Sequence, residues 1–176
     1  MSTAPSSPAS AIRPLTAGDV DDLMHIQSIT YGSGLQESRD VFVRRLSCPH
    51  HCSLGIARQS DNRLLAYLAA YWSEFGKVTP LDGDFDPPPE HGQVLYIHDI
   101  SVLPELAGQG AAQRMLNTLF DQARAQQVRQ AALVAVQGST VFWQRLGFAP
   151  HTVTNATQLQ HLRSYGPGAI FMSAAL

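Results

Sequence analysis

In this chain an apolar strand runs, through Pro104 and two alternate glycines, straight into an amphipathic helix. Leu95-Tyr96-Ile97-His98-Asp99-Ile100-Ser101-Val102 has the β-branched and aromatic content of a central strand, placed over residues 93–102. Gly108 and Gly110 follow. Ala112, Met115, Leu116, Leu119, Phe120 and Ala123 then recur at i, i+3, i+4, i+7, i+8 and i+11. Such a helix must bury its stripe against a sheet, so the chain is of the α/β kind. Its first turn offers unpaired N–H groups and a partial positive charge, and the glycines let a ligand approach the backbone closely. Together they suit phosphate or pyrophosphate. A helix capped by small residues, with no ligand at all, would read the same way.

Two common phosphate loops are excluded. The dinucleotide fingerprint needs a third glycine and a downstream acidic ribose partner, and both are missing. The nucleotide-triphosphate loop needs Gly-Lys-Ser/Thr, and the sole lysine of the chain is the distant Lys77.

The remaining elements surround this unit. A strand is expected at 12–15, and Thr16 with Asp19 three residues on forms a capping arrangement for a helix bearing Val20, Leu23, Met24 and Gln27. A second helix covers 38–46 and stops before Pro49. Strands at 53–58 and 64–75 flank the hairpin signal Gln59-Ser60-Asp61-Asn62. A long loop, 76–92, carries three successive prolines and covers part of any site beside the central strand. A short apolar strand at 131–136, a helix at 139–146 capped by Gly147, and strands at 148–153 and 169–173 complete the chain. Residues 1–10 read as a disordered Ser-, Ala- and Pro-rich tail, and 11–176 as a single domain.

Bulk properties narrow the function. The 176 residues are 44% hydrophobic and 15% charged with a net charge of -2, which leaves no electrostatic footprint for nucleic acid. No apolar run spans a bilayer and no secretory leader is visible, so a cytoplasmic protein without membrane contact is expected. Cys48-Pro49-His50-His51-Cys52 places metal-ligating types together, but within five residues they can hardly close around one tetrahedral ion. That segment is expected to be a plain helix-to-strand connection, with neither metal nor disulfide.

Two motifs carry a family resemblance. Val102-Leu103-Pro104, then Gly108-Gln109-Gly110-Ala111-Ala112, resembles the acetyl-CoA-binding motif of the GNAT (Gcn5-related N-acetyltransferase) superfamily. Phe142-Trp143-Gln144-Arg145-Leu146-Gly147-Phe148 resembles that family's Phe-Tyr-x-x-x-Gly-Phe signature, in the right order and at the right distance. The resemblance implies a mixed, mostly antiparallel sheet of six to seven strands flanked by about four helices, with strands 4 and 5 splayed apart. It implies acetyl-CoA as cosubstrate, its pantetheine arm bonded to the backbone of Ile100, Ser101 and Val102. Its pyrophosphate would rest on the amides of Gly108, Gln109, Gly110, Ala111, Ala112 and Gln113, with Phe142 and Trp143 beside it. The activity implied is acetyl transfer to a primary amine.

Two positions depart from the family pattern. Ala107 stands where Arg or Gln is frequent. Trp143 stands where many members carry the Tyr that protonates the departing CoA thiolate; its indole N–H cannot do so. Another group is then the acid, or the thiolate leaves unassisted, as a thiol pKa of about 8.5 allows.

The base that deprotonates the amine is sought on the central strand, among Tyr96, His98 and Asp99. In a regular strand Tyr96 and His98 share a face and Asp99 points away, unless the bulge common in this family alters the alternation. His98 is the favoured base, because a free imidazole titrates near neutral pH. His98-Asp99-Ile100-Ser101-Val102 is also similar to the histidine-bearing strand of arylalkylamine N-acetyltransferases. His25, His50, His51, His91, His151 and His161 are read as surface residues. A small amine is the favoured acceptor, with Asp82, Asp84, Asp86 and Glu90 as an acidic mouth that would gather a cationic one. A protein N-terminal or lysine acetyltransferase, and a non-catalytic acyl-CoA sensor, are the alternatives. Family members often dimerise, so a homodimer is compatible with the sequence.

Overall fold

Leu64–Ser73 is ten residues long and buried almost throughout, so this strand must be covered on both faces. The computed structural model, which describes residues 10–32, 34–88, 90 and 92–176, places it at the centre of one sheet. In chain order the elements are β1 (Ser10–Pro14), α1 (Val20–Thr30), α2 (Arg39–Ser47), β2 (Leu54–Arg58), β3 (Leu64–Ser73), β4 (Val94–Val102) and α3 (Ala111–Ala125). There follow β5 (Gln130–Ala135), α4 (Thr140–Arg145), β6 (Ala149–Pro150), α5 (Ala156–Arg163) and β7 (Ile170–Ala175). The sheet order is β1-β2-β3-β4-β5-β7-β6, antiparallel throughout except for the parallel pair β4–β5.

Alternation along β3 sorts the core. Leu68 and Ala70, with Leu95 and Ile97 of β4, pack under Met115, Leu116 and Leu119 of α3. Tyr67 and Ala69 face Leu23 and Ile26 of α1 and Phe42 of α2. Further along that second face Tyr71, Val94 and Tyr96 meet Phe85, Val153 and Phe171.

One irregularity decides where the chemistry sits. Ala69 opposes Asp99 and Ala70 opposes Ile97, so His98 is an extra, unopposed residue, a β-bulge in β4. Leu95 and Ile97 face α3, and after the bulge Ile100 and Val102 pack on that same cluster. Tyr96, His98 and Asp99 therefore all lie on the α1/α2 face. The expectation from regular alternation, with Asp99 pointing away from Tyr96 and His98, is overturned by this one inserted residue. Parallel pairing with β5 joins Leu95–Ile97 to Ala131–Leu133 and stops where the bulge begins, so the two strands splay.

The sequence reading needs four adjustments. Helix α5 was not expected: its apolar contacts with the core reduce to Leu159 and Leu162, and its buried residue is Gln158, accepting from Val78 N at 2.7 Å. It raises the helix count from about four to five. The strand expected at 148–153 shrinks to Ala149–Pro150. Of the expected tail, Ser10 already belongs to β1, and residues 1–9 lie outside the described residues. Among the histidines read as surface, His25 and His151 are exposed, but His50, His51 and His161 are half-buried, and His91 lies outside the described residues. His161 donates from Nδ1 to Val78 O at 2.7 Å. Cys48 and Cys52 are free thiols in the link from α2 to β2.

Leu116 is fully buried between α3 and the sheet. Leu116→Ala should cost about 2–5 kcal/mol, read as a lower urea midpoint with an unchanged denaturant slope.

Candidate active site

The turn from β4 into α3 is built on left-handed backbone. Gly108 and Gly110 have φ of 73° and 68°, and Gly110 is the N-cap of α3. A Cβ at either would meet no atom within 4 Å, so glycine is required by conformation, and the space in front of the loop is open. Ala111, Ala112 and Gln113 form the first turn of the helix, whose N–H groups have no partner within the helix. Gln109 differs: its N–H donates to Leu106 O at 3.2 Å, so its amide is spent inside the turn and leaves the expected anion-binding set.

The splay beyond Ile97 and Leu133 opens a cavity of about 200 Å³. Its walls include Ile100 of β4, Val134 of β5, and Phe142 and Trp143 of α4. Trp143 is 5% exposed and sits edge-on to Phe142 and Phe148, with centroids 4.9 and 5.4 Å away. It is a wall of the cavity and part of the core at once. Ile100, Ser101 and Val102 have no strand partner on the β5 side, which leaves that backbone edge free for a ligand. The Ser101 hydroxyl turns to Thr30 of α1, 3.3 Å away, so only its main chain faces the gap.

A second cavity of about 30 Å³ lies against the first and shares Tyr31, His98, Asp99, Val134 and Val136 with it. Asp99 stands at the junction. Its two carboxylate oxygens accept hydrogen bonds from the hydroxyls of Tyr31 and Tyr67. Burial raises the Asp99 pKa above the ordinary carboxylate value, against the lowering effect of those two bonds. Burial, then the charge of Asp99, likewise raises Tyr31, which stays a neutral donor.

Below this junction lies a buried ionic cluster. Arg45 of α2 grips Glu37 with two bonds of 2.7 Å, and the pair is 2% and 4% exposed. His98 Nε2 lies 2.9 Å from both Glu37 Oε2 and Arg45 Nη1, and its Nδ1 is 3.4 Å from the Tyr165 hydroxyl. Glu37 Oε1 also accepts from Asp82 N at 2.9 Å, and Arg45 Nε donates to Gly83 O at 3.0 Å. Burial alone would raise the Glu37 pKa, but His98 and Arg45 override it and hold the carboxylate well below its ordinary range. The His98 side chain is 2% exposed, so this residue meets the cavities through its backbone. Tyr96 lines neither cavity; it is 1% exposed and stacked near Tyr71, which removes it from the set of groups that touch a ligand.

Residues 20–148 match the model of the acetyltransferase (GNAT) family. The chain belongs to the GNAT acetyltransferase family. Its fold is that of the ribosomal-protein-S18-alanine N-acetyltransferase from Escherichia coli, with 15% identity and a TM-score of 0.69 over 95% of this chain and 94% of that one. A GNAT acetyltransferase from Brucella melitensis in complex with acetyl-CoA shows 16% identity and a TM-score of 0.59, over 96% and 88%. The GphF GNAT-like decarboxylase in complex with isobutyryl-CoA shows 14% and 0.70, over 94% and 98%. Among curated proteins none matches the sequence. At these identities the shared property is the fold, and the reaction has to be read from the site.

In this GNAT acetyltransferase the sequence located the glycine loop, Trp143, His98 and Asp99. It missed Tyr31, Glu37, Arg45, Tyr67 and Tyr165, which come from four other parts of the chain with no motif between them. Three of the four carboxylates of the expected acidic mouth have partners within the protein. Asp82 accepts from Ser38 N and Oγ at 2.7 Å, Asp84 pairs with Arg44 at 2.9 Å and Asp86 with Lys77 at 3.5 Å. Asp82 and Asp84 tie the loop to the start of α2 and to α2 itself, while Asp82, held by neutral donors, keeps its charge. The loop does wall the site, through Leu81. Among the described residues no helix is long and apolar enough to cross a membrane.

Two outcomes follow from this geometry. Gly110→Asp, which must take a left-handed conformation at a cost of about 1–2 kcal/mol but meets open space, should still fold, yet lose acetyl-CoA binding in calorimetry, because the carboxylate repels pyrophosphate at the helix terminus. Glu37→Gln leaves Arg45 charged and buried without its partner, and should cost about 3–5 kcal/mol in urea unfolding at pH 7. Because the folded pKa of Glu37 is lowered, its contribution is fully present above the unfolded carboxylate range and fades as pH falls below it; the gap between wild type and variant should narrow in acid.

Proposed function

We propose that this enzyme transfers the acetyl group of acetyl-CoA to a small primary amine. The observation that carries the reading is the meeting of two cavities at the β4 bulge. The larger opens between splayed strands, one of which leads into a glycine-turned helix N-terminus; the smaller lies beyond Asp99 beside Leu81 of the long loop. A pantetheine arm fits the first and brings a thioester to the junction, where an amine in the second can attack it.

On this reading the amides of Gly108, Gly110, Ala111, Ala112 and Gln113 hold the pyrophosphate, and the free edge of Ile100 to Val102 bonds the pantetheine. Phe142 and Trp143 pack against the arm. Asp99 takes the proton that the ammonium must lose, directly or through one water, and its raised pKa brings it closer to the range a base needs. His98 is a positioning residue: its ring, enclosed by Glu37, Arg45 and Tyr165, fixes the bulge that turns Asp99 toward the substrate. After attack the tetrahedral intermediate collapses, the C–S bond breaks and the thiolate leaves. Tyr31 lines both cavities with its hydroxyl on Asp99, so it can relay to the sulfur the proton that Asp99 took from the ammonium, giving up its own proton as it receives that one and ending neutral, in the role that Trp143 cannot fill.

Turnover is measured by thiol release with a panel of amines and acetyl-CoA. Asp99→Asn should lower the rate at pH 7 by about 10²–10⁴-fold, with a loss that shrinks at high pH where free amine exists. His98→Asn should cost less than about tenfold in the same assay. The opposite ranking returns the base to His98.

A further inference from the structure

The walls of the smaller cavity are selective in charge. Leu35, Leu81, Val134 and Val136 supply aliphatic surface, and Tyr31 and Tyr165 supply rings. The charged or titratable groups beside them are Glu37, Asp99 and His98, and among the described residues no Arg or Lys lines the space. The two carboxylates are not equivalent. Glu37 is already matched by the fork of Arg45 at 2.7 Å, and Arg45 also donates to the Gly83 carbonyl. Among the described residues the hydrogen-bond partners of Asp99 are two neutral hydroxyls, those of Tyr31 and Tyr67. The junction thus presents one carboxylate without a counter-charge, facing an apolar chamber.

We infer, building on the acetyl-transfer reading above, that the acceptor is a small monoamine with an apolar body and no carboxylate beside its nitrogen, and that Asp99 selects it by meeting its ammonium. The ammonium supplies the missing counter-charge, and the aliphatic walls flank the carbons next to the nitrogen; a space of about 30 Å³ holds only that part, and the rest of the body lies toward its open side. An α-amino acid would bring a second carboxylate within a few ångströms of Asp99, into a space without a cation to receive it, where desolvation and repulsion both oppose binding. A peptide N-terminus would press its amide groups against Leu81, Val134 and Val136, whose side chains offer them no hydrogen-bond partner. Exclusion of the wrong amine therefore comes from a repulsive group as much as from a favourable fit.

The test compares 3-methylbutylamine with leucine, which differ by one carboxylate, alongside leucinamide and a short peptide with an N-terminal leucine. Acetyl-CoA is kept saturating; CoA release and the acetylated product are both measured. The kcat/KM for 3-methylbutylamine should exceed that for leucine by about a hundredfold or more, with leucinamide between them and the peptide no better than leucinamide. In Leu81→Arg, which places a cation in the wall at a half-buried position, the preference for 3-methylbutylamine over leucine should fall at least about tenfold. Leucine or the peptide as the better substrate, or a ratio that Leu81→Arg does not move, overturns the inference while leaving acetyl transfer intact. An enzyme that binds acetyl-CoA but acetylates none of these amines overturns both.

Discussion

The bulge at His98 is the constraint on which the site depends. Without the extra residue, alternation would carry Asp99 to the α3 face, among the aliphatic side chains of the main core. With it, Tyr96, His98 and Asp99 share one face, and Leu95, Ile97, Ile100 and Val102 still reach the other. The same residue marks the end of parallel pairing with β5. One local irregularity therefore does two things: it aims a carboxylate and it opens the strands beside it. A bulge survives only where its surroundings hold it. Here Glu37, Arg45 and Tyr165 surround the ring of the inserted residue.

Burying the Glu37–Arg45 pair is expensive on general grounds, since two charges leave water and recover only part of that cost from each other. The pair makes sense as a structural joint. Glu37 is clamped by Gln27 of α1 through both its backbone groups, by Arg45 of α2, by His98 of β4 and by Asp82 N of the long loop. Four elements on the acceptor side, α1, α2, β4 and the loop, are thereby referred to one residue. The loop is then fastened a second time on the surface, by Asp82 on Ser38 and Asp84 on Arg44. Asp82 and Asp84, which look in sequence like part of a steering field, serve as fasteners of the loop.

The two cavities divide the work by chemistry. The larger lies along polar backbone at the edge of the strand that leads into a helix terminus carrying partial positive charge, which suits a long anionic cofactor. The smaller is aliphatic with one unmatched carboxylate, which suits a short cation. Trp143 belongs to the first: buried against Phe142 and Phe148, it shapes the wall and has no proton to give. The hydroxyl that can serve the leaving group, that of Tyr31, comes from the end of α1, on the opposite side of the sheet from α3.

What the sequence determined alone was local: a strand, two left-handed glycines and a helix N-terminus lie within one continuous stretch, and their dihedral and hydrogen-bonding needs are properties of adjacent residues. The periodicity of α3, the cap of Gly110 and the second motif around Trp143 are legible for that reason, and so is the order of most strands. Helix α5 was illegible because it is only 8 residues long, its apolar contacts reduce to Leu159 and Leu162, and its contacts with the loop are polar. The tertiary structure alone decided which side chain meets the substrate. Glu37 and His98 lie 61 positions apart, and Tyr31 and Asp99 lie 68 apart, so no spacing rule connects them. The bulge that brings them together changes the parity of β4 by one residue, and a period-two pattern cannot register such a change until the partner strand is in place.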